Sequence, residues 1–472
     1  MHRLYYQHPG TWFGDCMPIF ADGAFQLFHQ RDTRRPGPFG EPFGWALART
    51  TDFVRYEDRG ESLHRGGDAD QDQFIFAGSV FEAPETARAG GRFHAFYTGY
   101  NRDYPAAGKP AQVLMHAVSD DLEHWTTVEG ELVAPEPGHD PDNWRDPYVL
   151  RDDDHDRWIM ILGARREGDR LRTTGRTVWY TSTDLERWTF QGDFWAPELY
   201  TMHEMPDLFR MGDHWYLLTT EYSDRSTTVY RMSDSLDGPW TAPADDAFDG
   251  RAYYAARSAS SGERRYLFGW VATKEGEQDL GAWQWGGTLV VHEVYQRPDR
   301  SLGVRLPAPV RDAFPAPTSL IDGPVAVSAG DGRGRIGLGS LPEDRPVLIT
   351  LRLTPDRLRS FAIVLFEDEA SGDGYAYTFR AGEGRIDIDR VPNYPWYRYD
   401  NRGLHRPFQT RPGETVTVDL VVDDTIATLY VDGVALNARL YERPGRRLAI
   451  EVVDGDLSLD RAELSVLEDS VP

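Results

Sequence analysis

The chain has a single cysteine, Cys16, among its 472 residues. One cysteine excludes an internal disulfide and any metal site that needs several thiolates. Because Cys16 directly follows Asp15, a nucleophilic thiol is one interpretation of this position. A small buried apolar residue is the favoured interpretation, since free cysteines are among the most buried residues in proteins.

Long apolar runs are also missing. No stretch approaches the roughly 18 consecutive apolar residues that a membrane-spanning helix needs. The N-terminal residues Met1 to Gln7 lack the apolar segment of a secretory signal. The sequence therefore predicts a soluble, cytoplasmic protein with no membrane partner, although a secreted chain trimmed of its signal would begin in the same way.

Basic residues are scarce relative to acidic ones, 51 against 76, which gives a formal net charge of -25. An acidic surface repels nucleic acids and anionic membranes, so a nucleic-acid partner is excluded. The composition fits a neutral small-molecule or oligosaccharide ligand, and the 14 Trp and 23 Tyr are compatible with stacking on sugars or with a large β protein. It leaves the oligomeric state open.

Helical periodicity is nearly absent, and one short phrase recurs in the first 300 residues. It pairs an acid with a large apolar residue and ends on an aromatic one, as in Thr51 to Tyr56, Asp120 to Trp125, Thr183 to Trp188 and, more loosely, Asp234 to Trp240. Internal repeats of this length are typical of propellers and solenoids. Hairpins starting near Asp15, Phe74, Asp146, Glu204 and Tyr253 predict five four-stranded blades over residues 1–306.

The character of the sequence changes after Leu306. Residues 307–324 are rich in Pro and Ala, which predicts a semi-rigid linker. Residues 325–472 contain short β-prone runs separated by Gly/Asp turns, which predicts a β-sandwich. The predicted fold class is therefore all-β, a five-bladed β-propeller followed by a C-terminal β-sandwich. For the aromatic segment Asn393 to Tyr399, packing between the domains is favoured over a sugar-binding platform.

Three carboxylates, Asp15, Asp146 and Glu204, begin the first strands of three repeated hairpins. First strands line the channel of a propeller, so these acids are expected to meet at one end of it. Such a group suits glycoside cleavage, in which one carboxylate is nucleophile or base and another protonates the leaving oxygen. Strand capping or pairing with a neighbour such as Arg145 is the alternative for each acid alone. Three equivalent positions favour catalysis.

Around these acids the sequence resembles glycoside hydrolase family 32, the β-fructofuranosidase family of invertases, levanases and inulinases, over its whole length. Trp144-Arg145-Asp146-Pro147 matches the R-D-P motif, whose Asp binds fructosyl hydroxyls and stabilises the transition state. Glu204-Met205-Pro206-Asp207 matches the E-C-P-D motif, which carries the acid/base Glu. From these and further matched segments the resemblance implies sugar contacts by Trp12, Gln30, Phe76, Ser79, Arg145 and Trp270.

The first motif of the family departs from the pattern. The family's W-M-N-D-P-N-G appears as Trp12-Phe13-Gly14-Asp15-Cys16-Met17-Pro18. The matching position implies that Asp15 is the nucleophile. Gly14 replaces the Asn that faces the sugar in the family, which points to a divergent branch with a substrate other than plain sucrose.

The resemblance implies a retaining hydrolase that removes terminal β-fructofuranosyl residues from fructans or fructo-oligosaccharides, with no metal and no cofactor. Fructosyl transfer by the same residues is one alternative. An inverting arabinosidase or xylosidase similar to glycoside hydrolase family 43 is another. Carboxylates about 5–5.5 Å apart favour retention, and about 6.5–9.5 Å favours inversion. The alternative from a different class is a non-catalytic, sugar-binding propeller.

Overall fold

The protein is described here by a computed structural model that covers residues 2–37, 39–85, 90–129 and 133–468. These residues form thirty β-strands, one six-residue helix α1 (Ala308–Ala313) and three short 3₁₀ turns at Pro105–Ala107, Glu275–Glu277 and Ala381–Glu383. The all-β prediction is confirmed. Within the described ranges, no helix has the length and apolar character needed to cross a membrane.

The strands of the first 305 residues form five consecutive antiparallel groups. The first is β1 (Trp12–Ala21), β2 (Ala24–Asp32), β3 (Trp45–Thr50) and β4 (Glu57–Leu63). The second is β5 (Phe74–Glu82), β6 (Phe93–Tyr100), β7 (Gln112–Ser119) and β8 (Thr126–Thr127). The third is β9 (His139–Asp152), β10 (Arg157–Arg166), β11 (Gly175–Ser182) and β12 (Thr189–Trp195). The fourth is β13 (Glu204–Met211), β14 (His214–Glu221) and β15 (Thr227–Ser233). The fifth is β16 (Tyr253–Ser260), β17 (Arg265–Lys274), β18 (Trp283–Gln296) and β19 (Leu302–Arg305).

The five groups close into a ring through their first strands. β1 contacts β5, β5 contacts β9, β9 contacts β13, β13 contacts β16, and β16 contacts β1 again. The ring is also sealed by hydrogen bonding, because β1 pairs with β18 at Phe13 and Gly287. The structure is therefore a five-bladed propeller whose innermost strands surround one axis.

Every innermost strand carries a shift in register, which marks a β-bulge. The shifts lie between Phe13 and Cys16, Phe76 and Gly78, Arg145 and Tyr148, Glu204 and Asp207, and Tyr254 and Arg257. In three of the bulges a residue other than glycine has a positive φ angle, 62° at Asp146, 50° at Met205 and 53° at Ala255. Bulges redirect side chains and are frequent beside active sites. Here they orient side chains towards the propeller axis.

The remaining strands form a sandwich whose two sheets share two long strands. These are β20 (Thr318–Ser319), β21 (Val325–Ser340), β22 (Val347–Pro355), β23 (Ser360–Glu367), β24 (Gly374–Arg380), β25 (Arg385–Val391), β26 (His405–Pro407), β27 (Val416–Asp423), β28 (Ile426–Val431), β29 (Val434–Arg439) and β30 (Arg447–Val466). The first half of β30 pairs with β23 and the second half with β22, while β21 pairs along both halves. The pairing of β21 with β30 shifts register at Gly330, opposite Gly455, where the two strands pass from one sheet to the other.

Residues 307–324, for which the composition predicts a linker, contain α1 and β20. β20 pairs with β30 and so belongs to the sandwich. The junction between propeller and sandwich is built on buried polar groups. Asp249 accepts hydrogen bonds from the backbone N–H (2.8 Å) and the side-chain amide (2.6 Å) of Asn437. Because a buried carboxylate is costly unless it is paired, these bonds fix the two domains to one another.

Candidate active site

A cavity of about 650 Å³ lies at the axis of the propeller. Each of the five innermost strands supplies one or more of its lining residues, among them Asp15, Phe76, Asp146, Glu204 and Tyr254. The three acids that the sequence places at the starts of repeated hairpins therefore line one cavity, although they lie far apart in the chain.

Glu204 is held by a different side chain on each carboxylate oxygen. Arg145 Nη2 donates to Oε1 at 2.8 Å, and the Tyr254 hydroxyl donates to Oε2 at 2.5 Å. Burial by itself would lower the pKa of Arg145, but Glu204 and Asp146 raise it above its usual value. Arg145 is therefore a permanent positive charge beside the two acids, and Glu204 cannot rotate away from the cavity without losing both bonds.

Asp15 accepts a hydrogen bond from the Trp270 indole N–H, at 3.1 Å from its Oδ1. Burial, and then the negative charges of Asp146 and Glu204, raise the pKa of Asp15 to about 8. The two neighbouring negative charges disfavour ionisation of Asp15. At neutral pH Asp15 therefore retains a proton.

Asp146 is fixed by the bulges around it. Its Oδ2 accepts the backbone N–H of Met205 at 3.0 Å, and its own N–H donates to Thr98 Oγ1 at 2.9 Å. Burial raises the pKa of Asp146, an effect that Arg145 opposes and Glu204 reinforces. The side chain of Arg257 donates to the Asp146 carbonyl oxygen at 2.7 Å, and this hydrogen bond stabilises the left-handed backbone conformation of Asp146.

Of the six expected sugar contacts, four line the cavity: Gln30, Phe76, Arg145 and Trp270. Gln30 is 1% exposed. Its amide nitrogen lies 3.4 Å from the Ile75 carbonyl oxygen, whereas its Oε1 has no partner within the described part of the chain. An unpaired buried oxygen of this kind is unusual, since buried polar atoms are normally paired.

Trp12 and Ser79 do not line the cavity. The guanidinium of Arg34 covers the Trp12 ring at 4.5 Å from its centroid. Ser79 lies beyond the bulge of β5, and its hydroxyl accepts the backbone N–H of Val149 at 3.0 Å in the neighbouring blade. The bulge changes the alternation of side chains along β5, which is why Phe76 reaches the cavity and Ser79 joins two blades.

Several aromatic residues of the cavity were not predicted from the sequence, among them Tyr254, Trp283 and Trp285. Tyr254 follows the predicted start of the fifth hairpin at Tyr253, and the equivalent positions of three other hairpins are acids, so the sequence contains a signal for it. Trp283 and Trp285 lie at the start of β18, a third strand of a blade. Because they do not belong to an innermost strand, the pattern of repeated hairpins does not identify them.

Cys16 is buried, and burial raises its pKa well above the usual value for a thiol. The favoured interpretation of Cys16 as an apolar residue is in line with this position, since a nucleophilic thiol requires a lowered pKa. Among the described residues, no group of three or more His, Cys, Asp and Glu side chains has an arrangement that could hold a metal ion.

A family model matches this part of the chain. The model of the glycosyl hydrolases family 32 N-terminal domain matches residues 6–294, which include the cavity and all three acids. The chain belongs to glycoside hydrolase family 32.

Curated relatives of this family 32 chain include a levanbiose-producing levanase of Bacillus subtilis (strain 168). It is 26% identical over 282 residues, which cover 56% of this chain and 51% of the levanase, about half the length of that relative. A sucrose-6-phosphate hydrolase of Escherichia coli is 24% identical over 469 residues and matches 93% of this chain and 89% of its own length.

Solved structures share the fold over the whole family 32 chain. Fructan 1-exohydrolase IIa from Cichorium intybus has a TM-score of 0.81 at 15% identity and covers 100% of this chain and 98% of its own. Exo-inulinase from Aspergillus awamori has a TM-score of 0.78 at 17% identity and covers 99% and 98%. The propeller and sandwich of this chain are thus the architecture of family 32 enzymes.

Proposed function

We propose that the protein is a retaining glycoside hydrolase that removes terminal β-fructofuranosyl residues from fructans or fructo-oligosaccharides. The observation that carries this proposal is the meeting of Asp15, Asp146 and Glu204 in one cavity at the propeller axis. The named relatives, a levanase and a sucrose-6-phosphate hydrolase, support a fructoside as substrate.

In the proposed reaction Asp15 attacks the anomeric carbon while Glu204 donates a proton to the departing oxygen. The Asp15–carbon bond forms as the carbon–oxygen bond to the leaving group breaks. Glu204, now ionised, then takes a proton from water, which cleaves the ester to Asp15 and releases the sugar. Asp146 and Gln30 hold sugar hydroxyls. Arg145 keeps Glu204 in reach of the bond.

The proton that the three acids retain at neutral pH is the one that the leaving group needs. In the free site burial places it on Asp15, whose pKa is raised to about 8. We propose that binding of the sugar shifts this proton onto Glu204. The shift creates an ionised nucleophile and a protonated acid together.

The decisive experiment offers sucrose, 1-kestose, inulin, levan and aryl arabinofuranosides to the wild type, Asp15→Asn and Glu204→Gln. Fructose release that both substitutions abolish, with the β anomer appearing first by NMR, is the expected result. Release of arabinose without fructose would support an inverting furanosidase. Binding of a sugar without any turnover would support a non-catalytic propeller, and products longer than the substrate would support fructosyl transfer.

A phosphorylated disaccharide is a second candidate substrate, because two arginines besides Arg145 line the cavity, and one of them, Arg170, is exposed. The other, Arg251, pairs with Asp400 at 3.3 Å. Guanidinium groups bind phosphate in a bidentate manner. A kcat/KM for sucrose 6-phosphate that exceeds that for sucrose, with the excess lost in Arg170→Ala, would assign the phosphorylated substrate. Equal values for the two sugars would exclude it.

A further inference from the structure

Three aromatic side chains of the sandwich project into solvent. Tyr394, Trp396 and Tyr397 are 85%, 77% and 71% exposed. The interpretation of this segment as packing between the domains is therefore wrong for these three residues, although it holds for Tyr399, which is 5% exposed. Exposed aromatic clusters of this size mark binding surfaces more often than isolated apolar residues do.

The segment that carries these rings, residues 393–401, is a closed structure that we call the aromatic loop. The side-chain amides of Asn393 and Asn401, at its two ends, both donate to Asp389, at 2.9 Å and 2.6 Å. Inside it, the Arg398 N–H donates to the Pro395 carbonyl oxygen at 3.0 Å. A loop that is pinned at both ends presents its side chains with little further loss of entropy.

The base of the aromatic loop rests on the wall of the catalytic cavity. The ammonium of Lys274 lies 4.5 Å from the ring centroid of Tyr399 and 4.7 Å from that of Trp283, which lines the cavity. Asp400 of the loop pairs with Arg251, another lining residue. The base of the aromatic loop therefore lies next to the cavity wall, through Lys274 and Arg251, whereas its exposed rings are not among the lining residues.

The charge at this junction fits a neutral ligand. Lys274 is buried between the two rings and donates to the Asp279 carbonyl oxygen at 2.8 Å, and Arg251 is offset by Asp400. The loop exposes three large aromatic side chains to solvent, with the rings of Trp396 and Tyr397 perpendicular to one another. Aromatic rings are suited to the apolar C–H faces of sugar units. The loop also carries an exposed positive charge on Arg398, and the Arg398→Ala variant measures its contribution.

We propose that the aromatic loop is a binding platform for the distal units of an oligosaccharide whose terminal unit occupies the catalytic cavity. This inference rests on the proposed function, since it assumes that a sugar chain leaves the cavity past Trp283. It adds a contribution of the second domain, which gives the enzyme a preference for long chains over disaccharides.

The test compares chain lengths in the full-length protein. In Trp396→Ala/Tyr397→Ala we expect kcat/KM for long inulin or levan to fall roughly tenfold, mainly through KM, with kcat/KM for sucrose within about twofold of wild type. Both residues are exposed, so folding is expected to be unaffected, and thermal melting checks this. Arg398→Ala, an exposed non-aromatic position on the same loop, is the matched control and is expected to leave both substrates unchanged.

A binding experiment separates this proposal from the proposed function. Glu204→Gln protein is run through gels that contain inulin, levan, arabinan or xylan, with and without the loop substitutions. Retardation by one of these neutral polysaccharides that the loop substitutions abolish supports the platform, whether or not any fructoside is hydrolysed. Retardation that survives the loop substitutions would overturn the platform proposal. In the kinetic comparison, an equal loss of kcat/KM on sucrose and on long chains would also overturn it. A wild-type dimer that the substitutions convert to a monomer, with unchanged chain-length preference, would assign the loop to self-association instead.

Discussion

Gly14 lies against the edge of the Trp285 ring. A Cβ atom on Gly14 would be 2.4 Å from Cη2 of that ring and 3.0 Å from Cβ of Gln30. The Trp285 ring also makes edge contacts with Trp270 and Phe39, with centroids 5.7 Å away in both cases. The absence of a side chain next to the candidate nucleophile is thus what admits an indole to this wall of the cavity.

The first prediction concerns this steric relationship. Gly14→Asn is expected to lower the melting temperature, because overpacking typically costs about 1–3 kcal/mol. The same change is expected to lower kcat/KM at least tenfold. Adding Trp285→Ala is expected to restore much of the lost stability, since it removes the obstructing ring.

The matched control for this prediction is Gly382→Asn, at a glycine where a Cβ would meet nothing within 4 Å. Thermal melting of the wild type, Gly14→Asn, Trp285→Ala and the double variant measures the coupling between positions 14 and 285. Additive effects of the two substitutions would contradict the steric account.

The second prediction concerns the acid role of Glu204. Glu204→Gln is expected to reduce hydrolysis of sucrose by roughly 10²–10⁴-fold, the usual contribution of general acid–base catalysis. An aryl β-fructoside with a good leaving group needs no proton, so its first step is expected to suffer much less. A burst of released phenol followed by slow turnover would show this difference. An equal loss on both substrates would assign Glu204 a binding role.

The third prediction concerns pH dependence. Asp15 loses its retained proton as the pH rises through about 8, the value to which burial and the neighbouring acids raise its pKa. We therefore expect kcat/KM to fall above that pH. Asp146→Asn removes one of the negative charges that raise this pKa, so the alkaline limb of its residual activity is expected to move to lower pH. An unmoved limb would show that the acids titrate independently.

The fourth prediction concerns stability. Between the unfolded pKa of about 3.9 and the folded value of about 8, the folded protein holds a proton on Asp15 that the unfolded chain releases. Stability from this group therefore falls as the pH rises across that interval. Asp15→Asn removes the effect, so its melting temperature relative to wild type is expected to rise from pH 4 to pH 8 and then level off. Asp142→Asn, at an exposed acid of the same cavity, serves as control.

Much of the fold follows from the sequence because each blade repeats one local pattern. Each repeat contains the start of a hairpin and a short acidic segment that ends on an aromatic residue. The number of blades and the approximate position of each innermost strand can therefore be predicted. Asp15, Asp146 and Glu204 were found in this way, because innermost strands line the channel of a propeller. Only Glu204 begins its strand, since Asp15 is the fourth residue of β1 and Asp146 the eighth of β9.

The positions of Ser79 and Trp285 relative to the cavity could not be predicted, because they depend on a bulge and on a close contact between distant residues. One extra residue in β5 moves Ser79 off the cavity wall, and alternation alone contains no sign of it. Trp285 reaches the cavity because of what position 14 lacks, and that position is 271 residues earlier in the chain. Contacts of this kind are set by packing in three dimensions and leave no periodic trace.

The seal between β1 and the fifth blade has a consequence for biosynthesis. Asp15 is 255 residues before its hydrogen-bond partner Trp270. Asp423 of the sandwich accepts hydrogen bonds from the backbone N–H groups of Arg3 and Leu4, near the N-terminus. A ribosome that has released four complete blades has therefore made Asp15, Asp146 and Glu204, but not Trp270, the hydrogen-bond partner of Asp15. These contacts between the two ends of the chain can form only after the fifth blade and the sandwich have been synthesised.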